Sequence, residues 1–493
     1  MRWFPYNKGG EFRRWYGNNN NVVDWEEDGA RIKSYVAGKY PYLNGNIDYV
    51  VKDRGKYFRR ALTWTVISSS FFGIRCSDQG FLFDVVGSCI FPPDEWFRCV
   101  AGFMASNVAT AMLGALNPTV HFQVGNIITL PFLKQQLHEK KAEIDLLVEE
   151  AVSLARKDWD SFETSWDFQT LPVLCDPGGR NSGLSSPTLS DSQAGADASA
   201  VARFERLRGL EEYNNQLFIE AYGLDAELSS GIPDDQVTLY RPKRDKDIRR
   251  LLSYGIGCIM GRYSLDKQGL VYAHSRNEGF DASQYTTFPA DADGIIPITE
   301  LTWFPDDATE RVVEFIGKAW PHEHLEENLK FIAESLDPNR DEHPRDTIRR
   351  YLATGFYKDH LQTYKRRPIY WLFSSGKQKA FQCLVYLHRY HEGTLARMRT
   401  EYVIPLQGKM SHRIDQLAGD IAAATSTSHR RKLEKERENL VKQRTELATF
   451  DEKLRHYADQ RIALDLDDGV KVNYGKFGDL LAEVKAVTGG TEE

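Results

Sequence analysis

Residues 61–91 read ALTWTVISSSFFGIRCSDQGFLFDVVGSCIF, and this stretch decides the character of the first part of the chain. Its two ends, 61–69 and 81–91, are rich in β-branched and aromatic residues and predict two strands. The small residues between them predict a loop that carries Arg75 outward. Two prolines follow the second strand, a helix is predicted over 95–116, and 120–130 returns as extended chain. These elements predict a mixed α/β domain.

Beyond this domain the hydrophobic spacing is mainly helical. Helices are predicted over 134–160 and 201–226, and near 245–263, 306–317, 323–335, 343–356 and 377–400. After a break at 425–428, leucine recurs every seven residues, which predicts the second arm of a helical hairpin: Leu433, Leu440, Leu447 and Leu454. The predicted fold class is therefore α+β, a mixed α/β domain followed by a mainly α-helical region that ends in a helical hairpin.

Shifts in composition predict five divisions of the chain. Residues 176–200 are dominated by Gly, Ser, Asp and Ala, which is typical of a flexible linker. Before the linker, the prediction places the mixed domain at 1–135 and a connecting helix and loop at 136–175. After the linker, it places a helical domain at 201–405 and the hairpin with a C-terminal segment at 406–493.

Composition excludes several classes of protein. The chain has 493 residues, enough for about two to four domains, and its 12% of aromatic residues excludes global disorder. Six cysteines occur singly with no Cys-x-x-Cys pair, which favours free thiols in a reducing cytoplasm. The apolar stretch 100–116 is interrupted by polar residues and predicts a buried helix, so no membrane partner is expected.

Charge is distributed unevenly along the sequence. Residues 1–75 carry thirteen Lys and Arg against seven Asp and Glu, a net charge of +6, whereas the whole chain has a net charge of −7. A basic segment rich in Trp, Tyr and Asn on an acidic chain favours a polyanionic partner such as nucleic acid. An ordinary solvated basic face is the alternative.

The sequence contains no complete catalytic constellation. Ser374 to Lys377 is only a fragment of a phosphate-binding loop, and the glycines at 255, 257 and 261 lie in a helical pattern where they favour close helix packing. The histidine pairs at 322/324 and 388/391 lack a third metal ligand. Asn117-Pro118-Thr119-Val120 lacks the second proline and the aromatic residue with which amino-methyltransferases hold a flipped base. No catalytic, cofactor-binding or metal-binding residue is therefore assigned.

Six long stretches of the sequence resemble stretches in the C-terminal half of the proteins of one family. They are WFPYNKGGEFRRWYGN (3–18), LTWTVISS (62–69), NPTVHFQVGNI (117–127), KDWDSFETSWDF (157–168), RPIYWLFSSGK (367–377) and VKVNYGKF (470–477). These strings are similar to PglX, the adenine-specific DNA methyltransferases of BREX phage-defence systems. The resemblance covers nearly the whole chain apart from 176–200.

In that family the S-adenosylmethionine pocket and the Asn-Pro-Pro-aromatic motif lie upstream of the matched region. The resemblance therefore implies a truncated gene product or a separately encoded half, and S-adenosylmethionine is implied only for the complete enzyme. Whether this chain is itself an enzyme stays open. The resemblance also implies a target recognition domain over about 1–135, followed by a helical C-terminal region.

Recognition of duplex DNA requires cations for phosphates and polar side chains for base edges. The predicted phosphate contacts are Lys8, Arg13, Arg14, Lys52, Arg54, Arg59 and Arg60. The predicted groove contacts lie in the loop between the two strands: Ser68, Ser69 and Arg75. Lys365-Arg366-Arg367 is a second phosphate candidate, which a solvated loop explains equally well.

Two functions remain open at this stage. The first is the DNA-recognition half of a PglX-like methyltransferase, whose partners are double-stranded DNA, a methyltransferase half and other BREX proteins. The second is a scaffold in which the hairpin and the acidic helices dock other defence proteins.

Overall fold

The computed structural model describes residues 1–68, 71–117, 119, 121–175 and 186–489. They form two units, of which the first comprises 1–168 with 197–242 and the second 169–196 with 243–493. The boundary between the two units falls inside one long helix. The α+β fold class is confirmed, because short sheets occur beside many helices in both units.

The first unit contains two small sheets. Its strands are β1 (Trp3–Asn7), β2 (Val22–Asp24), β3 (Ala61–Trp64), β4 (Ile74–Ser77), β5 (Leu82–Phe83) and β6 (Cys89–Ile90). In one sheet β1 pairs antiparallel with β2 and parallel with β5. In the other sheet the central β3 pairs antiparallel with β4 and β6, so that Thr63 lies opposite both Arg75 and Cys89. All four residues of β3 are buried, as expected for a central strand of β-branched and aromatic character.

Helices cover these sheets and supply most of the core of the first unit. They are α1 (Glu26–Lys39), α2 (Phe97–Ala105), α3 (Asn107–Leu116), α4 (Val124–Ile128), α5 (Lys134–Leu137), α6 (Lys141–Trp159) and, from residue 197 onward, α7 (Leu189–Tyr222). The core includes Trp64, Phe103, Ile144 and Phe218, all buried. At Gly102 an added Cβ would lie 2.8 Å from Asn214 Oδ1, so the close packing there requires glycine.

The second unit is helical around one antiparallel sheet. Its elements are α8 (Arg244–Ile259), β7 (Ile295–Pro297), α9 (Ala308–Ala319), α10 (Leu325–Ser335), α11 (Pro344–Thr354), α12 (Phe356–Thr363), β8 (Tyr370–Ser374), β9 (Gln382–Tyr386), α13 (Thr394–Arg397), α14 (Ile404–Ala423), α15 (Thr427–Asp459), α16 (Gly469–Gly475) and α17 (Val484–Thr488). Strand β9 is central, between β7 and β8. A π-helical segment, Met398–Val403, joins α13 to α14.

The predicted hairpin is confirmed as α14 and α15. The residues of α15 at the predicted heptad positions, from Leu433 to Leu454, are buried. Ile414 and Leu417 of α14 pack in one cluster with Leu433 and Leu440. The seven-residue repeat therefore marks the seam between two packed helices.

The predicted helix over 95–116 is two helices in the structure. Their axes bend by 68° at Ser106, whose hydroxyl accepts a hydrogen bond from the N–H of Ala109 and caps α3. Within the described part of the chain no single helix is long and apolar enough to cross a membrane. The bent pair Asp94–Ala105 and Asn107–Leu116 meets that test only when its members are taken together.

Two further predictions of secondary structure are wrong. Residues 124–128 form α4 instead of extended chain. The helix predicted from 377 begins only at Thr394, because Gln382–Tyr386 forms β9, every residue of which is buried. A short apolar run buried on both faces has the same periodicity in a strand and in a helix, so the pattern could not separate them.

The predicted flexible linker is wrong for residues 189–200, which belong to α7. Thr188 Oγ1 accepts a hydrogen bond from the N–H of Asp191 and donates one to the Asp191 carboxylate, so Thr188 caps the start of α7. Leu189 is fully buried, and its N–H donates to Asn328 Oδ1 over 2.8 Å. The cap, this buried anchor and the alanines of the segment favour helix over linker. Residues 176–185 lie outside the described residues.

Candidate nucleic-acid interface

One predicted phosphate contact, Arg59, and a lysine outside the predicted set, Lys56, lie over the same aromatic ring. Lys56 Nζ lies 5.7 Å, and the Arg59 guanidinium 5.5 Å, from the centre of the Phe91 ring. Phe91 contacts Phe83, which in turn contacts Tyr57 edge to face at 5.3 Å. We call these five residues the Phe91 face. Both cations are exposed, and an aromatic ring holds a cation without supplying a formal counter-charge.

Three further predicted phosphate contacts lie in the same stretch of chain. Lys52 is exposed, and in the described part of the chain it forms no ion pair. Arg54 is exposed and pairs with Asp48 at 2.6 Å. Arg60 is half-buried, with its guanidinium 3.8 Å from the centre of the Phe97 ring. These side chains keep positive charge at the surface of the first unit, with Arg54 partly neutralised.

Lys8, directly after β1, is exposed and forms a 2.6 Å ion pair with Asp84. Partial burial of Asp84 tends to raise the pKa of its carboxyl group. The hydrogen bonds from Lys8 and from the N–H groups of Val86 and Gly87 outweigh that effect and hold the pKa below its usual value. Lys8 is therefore tied to a local carboxylate and offers less free positive charge than Lys52.

The prediction that Arg14 contacts phosphate is wrong, because the residue is only 2% exposed. Its guanidinium lies 3.3 Å from Glu211 Oε2 and also donates to Gln236. The neighbouring Trp15 donates from Nε1 to the other oxygen of Glu211 at 2.7 Å. A guanidinium enclosed by these partners stabilises the first unit and leaves no surface for DNA.

Arg13 lies in a related environment. Its guanidinium stacks 4.8 Å from the Trp159 ring and lies 3.5 Å from Asp158 Oδ2. Burial lowers the pKa of Arg13 and raises that of Asp158, and in each case the charge of the other residue opposes the shift. The Arg13 side chain is 17% exposed, so it belongs to the packing of α6 more than to the open surface.

The predicted loop position of Arg75 is also wrong. Arg75 lies in β4, 2% exposed, and desolvation lowers the pKa of its guanidinium to about 10. The run 74–77 has only four residues and follows a cluster of small residues, so the pattern favoured a loop. Ser68 lies before this strand and donates a hydrogen bond to the carbonyl of Phe71. Ser69 lies outside the described residues.

Sequence reasoning missed an exposed group of tyrosines beside α1. Tyr35 and Tyr42 are 64% and 74% exposed. Lys39 Nζ lies 5.3 Å from the ring of Tyr35 and 5.6 Å from that of Tyr40. Exposed aromatic rings beside a lysine are typical of surfaces that bind single-stranded nucleic acid. The available signal was the high density of tyrosine in residues 35–49 without a helical apolar pattern.

The second phosphate candidate, Lys365-Arg366-Arg367, follows α12 and is exposed. Lys365 and Arg366 have left-handed backbone conformations, with φ of 50° and 61°. The N–H of Arg366 donates to the carbonyl of Leu361, which closes the end of the helix. Cations at a helix C-terminus stabilise the helix itself. Stabilisation of α12 therefore explains the positive charge of this loop without a phosphate ligand.

The described residues offer little support for a metal site, a reactive cysteine or a titrating histidine. No group of three or more His, Cys, Asp and Glu there could hold a metal ion. Burial raises the pKa of Cys76 and of Cys89 to about 12, so neither is a reactive thiolate near neutral pH. Burial lowers the pKa of His388 to about 4, which keeps its imidazole neutral.

Comparison with known proteins identifies the family. The chain is 41% identical to the adenine-specific methyltransferase BrxX of Escherichia coli O9:H4 (strain HS), over 100% of this chain and 41% of that protein. It is 40% identical to the adenine-specific methyltransferase PglX of Lacticaseibacillus casei (strain Zhang), over 96% of this chain and 38% of that protein. No protein-family model matches the chain. The chain thus spans about two fifths of the length of the curated relatives it matches. The predicted resemblance to the PglX methyltransferases is confirmed, because the chain matches both BrxX and PglX along nearly its whole length.

Proposed function

We propose that this chain is the DNA target-recognition part of a site-specific adenine methyltransferase that marks host DNA in BREX phage defence. The observation that carries the proposal is the Phe91 face, where exposed cations and aromatic rings meet in the first unit. Both curated relatives are named adenine-specific methyltransferases. Duplex DNA is the substrate that this chemistry fits.

The way the cations are held supports a phosphate-binding role. An ion pair such as that of Arg54 with Asp48 neutralises its cation before DNA arrives. Over Phe91, by contrast, Lys56 and Arg59 are positioned by the ring and keep their full charge. Because the ring already restricts these long side chains, they lose less conformational entropy when they bind phosphate, and this favours affinity. Lys52 adds a third cation to the same segment.

S-adenosylmethionine does not fit the glycine cluster of this chain. Gly255 and Gly257 lie inside α8, where neighbouring aromatic side chains occupy the space beside them. An added Cβ would lie 3.0 Å from Phe315 at the first position and 2.5 Å from Tyr263 at the second. These glycines serve helix packing and form no cradle for a cofactor. We derive no methyl-transfer step from the described residues.

The proposal therefore assigns methyl transfer to a methyltransferase half that acts together with this chain. Other BREX proteins are further partners in the proposal, and the cytoplasm, where host DNA is modified, is the proposed location. All six cysteines are free in the structure, which fits a reducing compartment.

Salt-dependent DNA binding tests the proposal. The test variant of the full chain is Lys52→Gln, Lys56→Gln and Arg59→Gln together. We expect the slope of log affinity against log salt on a random-sequence duplex to fall by about 2–3, since each lost phosphate contact removes about 0.9. Fluorescence anisotropy over a salt series measures this slope.

The matched control changes three exposed cations elsewhere in the first unit: Lys134→Gln, Lys157→Gln and Arg206→Gln. It removes the same charge and should leave the slope unchanged. Equal slopes for the test variant and the unmodified chain would contradict the Phe91 face as the DNA contact. No salt-dependent DNA binding by the chain at all would contradict the function and favour the scaffold alternative.

A further inference from the structure

Three tyrosine rings of the first unit are largely exposed to water. Tyr35, Tyr42 and Tyr49 are 64%, 74% and 73% exposed. Tyr35 belongs to α1, Tyr42 to the 3₁₀ turn that follows α1, and Tyr49 to the next such turn, which packs against α1. We call these three residues the tyrosine platform. Single exposed apolar side chains are ordinary, whereas several that lie close together mark an interaction site.

The backbone beneath the tyrosine platform is anchored to the core of the first unit. Val36 is 4% exposed, and Tyr40 and Ile47 pack on the same apolar cluster, which includes Trp25. Tyr40 also holds the Tyr42 ring edge to face, with the two ring centres 6.0 Å apart. Packing in the core therefore explains the backbone of this segment but leaves its outer rings unexplained.

The charge around the tyrosine platform is positive. Residues 29–47 contain three basic residues and no acidic residue. Two of the three, Arg31 and Lys33, pair with carboxylates that lie earlier in the chain. The third, Lys39, forms no ion pair within the described part of the chain, and its ammonium group lies 5.3 Å from the centre of the Tyr35 ring. A cation held beside exposed rings favours an anionic ligand that also presents flat faces.

Single-stranded DNA combines these two properties. Each nucleotide carries a negative phosphate and a base whose flat face can stack on an aromatic ring. In duplex DNA the base faces are stacked on one another inside the helix, where a surface tyrosine does not reach them. Methyltransferases take the target base out of the duplex before they act on it. DNA with unpaired nucleotides is therefore a form that such an enzyme holds.

We propose that the tyrosine platform binds unpaired nucleotides of DNA by stacking, with Lys39 contacting an adjoining phosphate. The source of these nucleotides, an opened site in host DNA, rests on the proposed function, whereas the stacking contact rests on the platform alone. The Phe91 face borders the same apolar cluster, because its Tyr57 contacts Trp25 edge to face at 5.2 Å. Duplex phosphates at the Phe91 face and unpaired bases at the platform are thus two contacts of one unit.

The test measures how variants of the full chain bind a labelled single strand of about 20 thymidines, which is longer than the site of one such platform. The leucine variant carries Tyr35→Leu, Tyr42→Leu and Tyr49→Leu, and it keeps apolar bulk but loses the rings. The phenylalanine variant carries Tyr35→Phe, Tyr42→Phe and Tyr49→Phe and keeps the rings. The control carries Trp166→Leu and Tyr213→Leu, at two rings of the same unit that are 49% and 41% exposed. Fluorescence anisotropy reports binding, and circular dichroism verifies folding.

We expect the leucine variant to bind the single strand about 5 to 150 times more weakly, the loss of one stacked base. The phenylalanine variant and the control should bind it as the unmodified chain does. The salt slope should stay unchanged in the leucine variant because the rings carry no charge, whereas Lys39→Gln should lower it by about 0.7. A leucine variant that binds like the unmodified chain would overturn the proposal. An equal loss in the phenylalanine variant or in the control would also overturn it, since ring stacking at the platform would then not be the cause.

Two further measurements separate this proposal from the proposed function. The leucine variant should keep the affinity and salt slope of the unmodified chain on a random-sequence duplex of about 30 base pairs, and a loss there would assign the platform to duplex binding and overturn the proposal. Absence of single-strand binding by the unmodified chain would overturn the platform and leave duplex binding at the Phe91 face intact. Should the leucine variant fail to fold, Tyr42→Leu against Tyr42→Phe makes the same comparison at the most exposed of the three rings.

Discussion

The buried contact between Arg14 and Glu211 gives the sharpest test of which arginines hold the first unit together. Both side chains are 2% exposed, and their ion pair measures 3.3 Å. The Arg14→Met substitution keeps much of the side-chain volume but leaves the Glu211 carboxylate without its cation. Removing one partner of a buried pair costs about 3–5 kcal/mol, because the remaining charge is uncompensated. We expect a loss of this size in the free energy of unfolding.

Urea denaturation of the full chain measures this loss, and DNA anisotropy at low temperature measures binding by the folded protein. We expect the Arg14→Met variant to keep the salt slope of the unmodified chain, because the guanidinium reaches no DNA. The double variant Arg14→Met with Glu211→Gln should recover much of the stability, since it removes the uncompensated buried charge and keeps an acceptor for Trp15 Nε1.

The matched control is Arg59→Met at the Phe91 face. Arg59 is exposed, so the substitution should change the free energy of unfolding by less than about 0.5 kcal/mol. It should lower the salt slope by about 0.9, the contribution of one phosphate contact. The reasoning would be refuted if Arg14→Met unfolded at the same urea concentration as the unmodified chain and lowered the salt slope instead.

Three further predictions concern the second unit. Burial lowers the pKa of His360 to about 3 and that of His388 to about 4, from 6.5. The unfolded chain therefore binds protons that the folded chain does not, so stability is full above pH 6.5 and falls below it, by about 1.4 kcal/mol per pH unit for each histidine. Urea midpoints that stay constant from pH 7.5 to 5 would contradict this. The Gly257→Ala substitution places a Cβ 2.5 Å from Tyr263 and should cost about 1–3 kcal/mol, measured by thermal unfolding, with the open position Gly408→Ala as control. Leu447→Ala empties a fully buried seam position and should cost about 2–5 kcal/mol, whereas exposed Ala448→Ser should cost far less; equal melting temperatures would show that the seam contributes nothing.

Local patterns were sufficient for several features of this protein. The heptad leucines predicted the hairpin, because an apolar stripe along one face of a helix must be buried against a neighbour. The strings shared with PglX predicted the family, which the relatives confirmed. Thr188, three residues before Asp191, has the spacing of a helix N-cap, but the small polar residues around it concealed the helix.

Burial of individual charges was decided only by tertiary structure. Arg14 and Arg59 look alike in the sequence, each beside another arginine in a basic segment. The first meets Glu211, which arrives from 197 positions away, while the second stays at the surface over Phe91. Arg75 became a buried strand residue because β4 pairs with β3. A long-range partner stabilises a buried cation, and only the folded chain determines which cation finds one; the sequence could therefore supply the number of cations in the basic segment but not which of them stay at the surface.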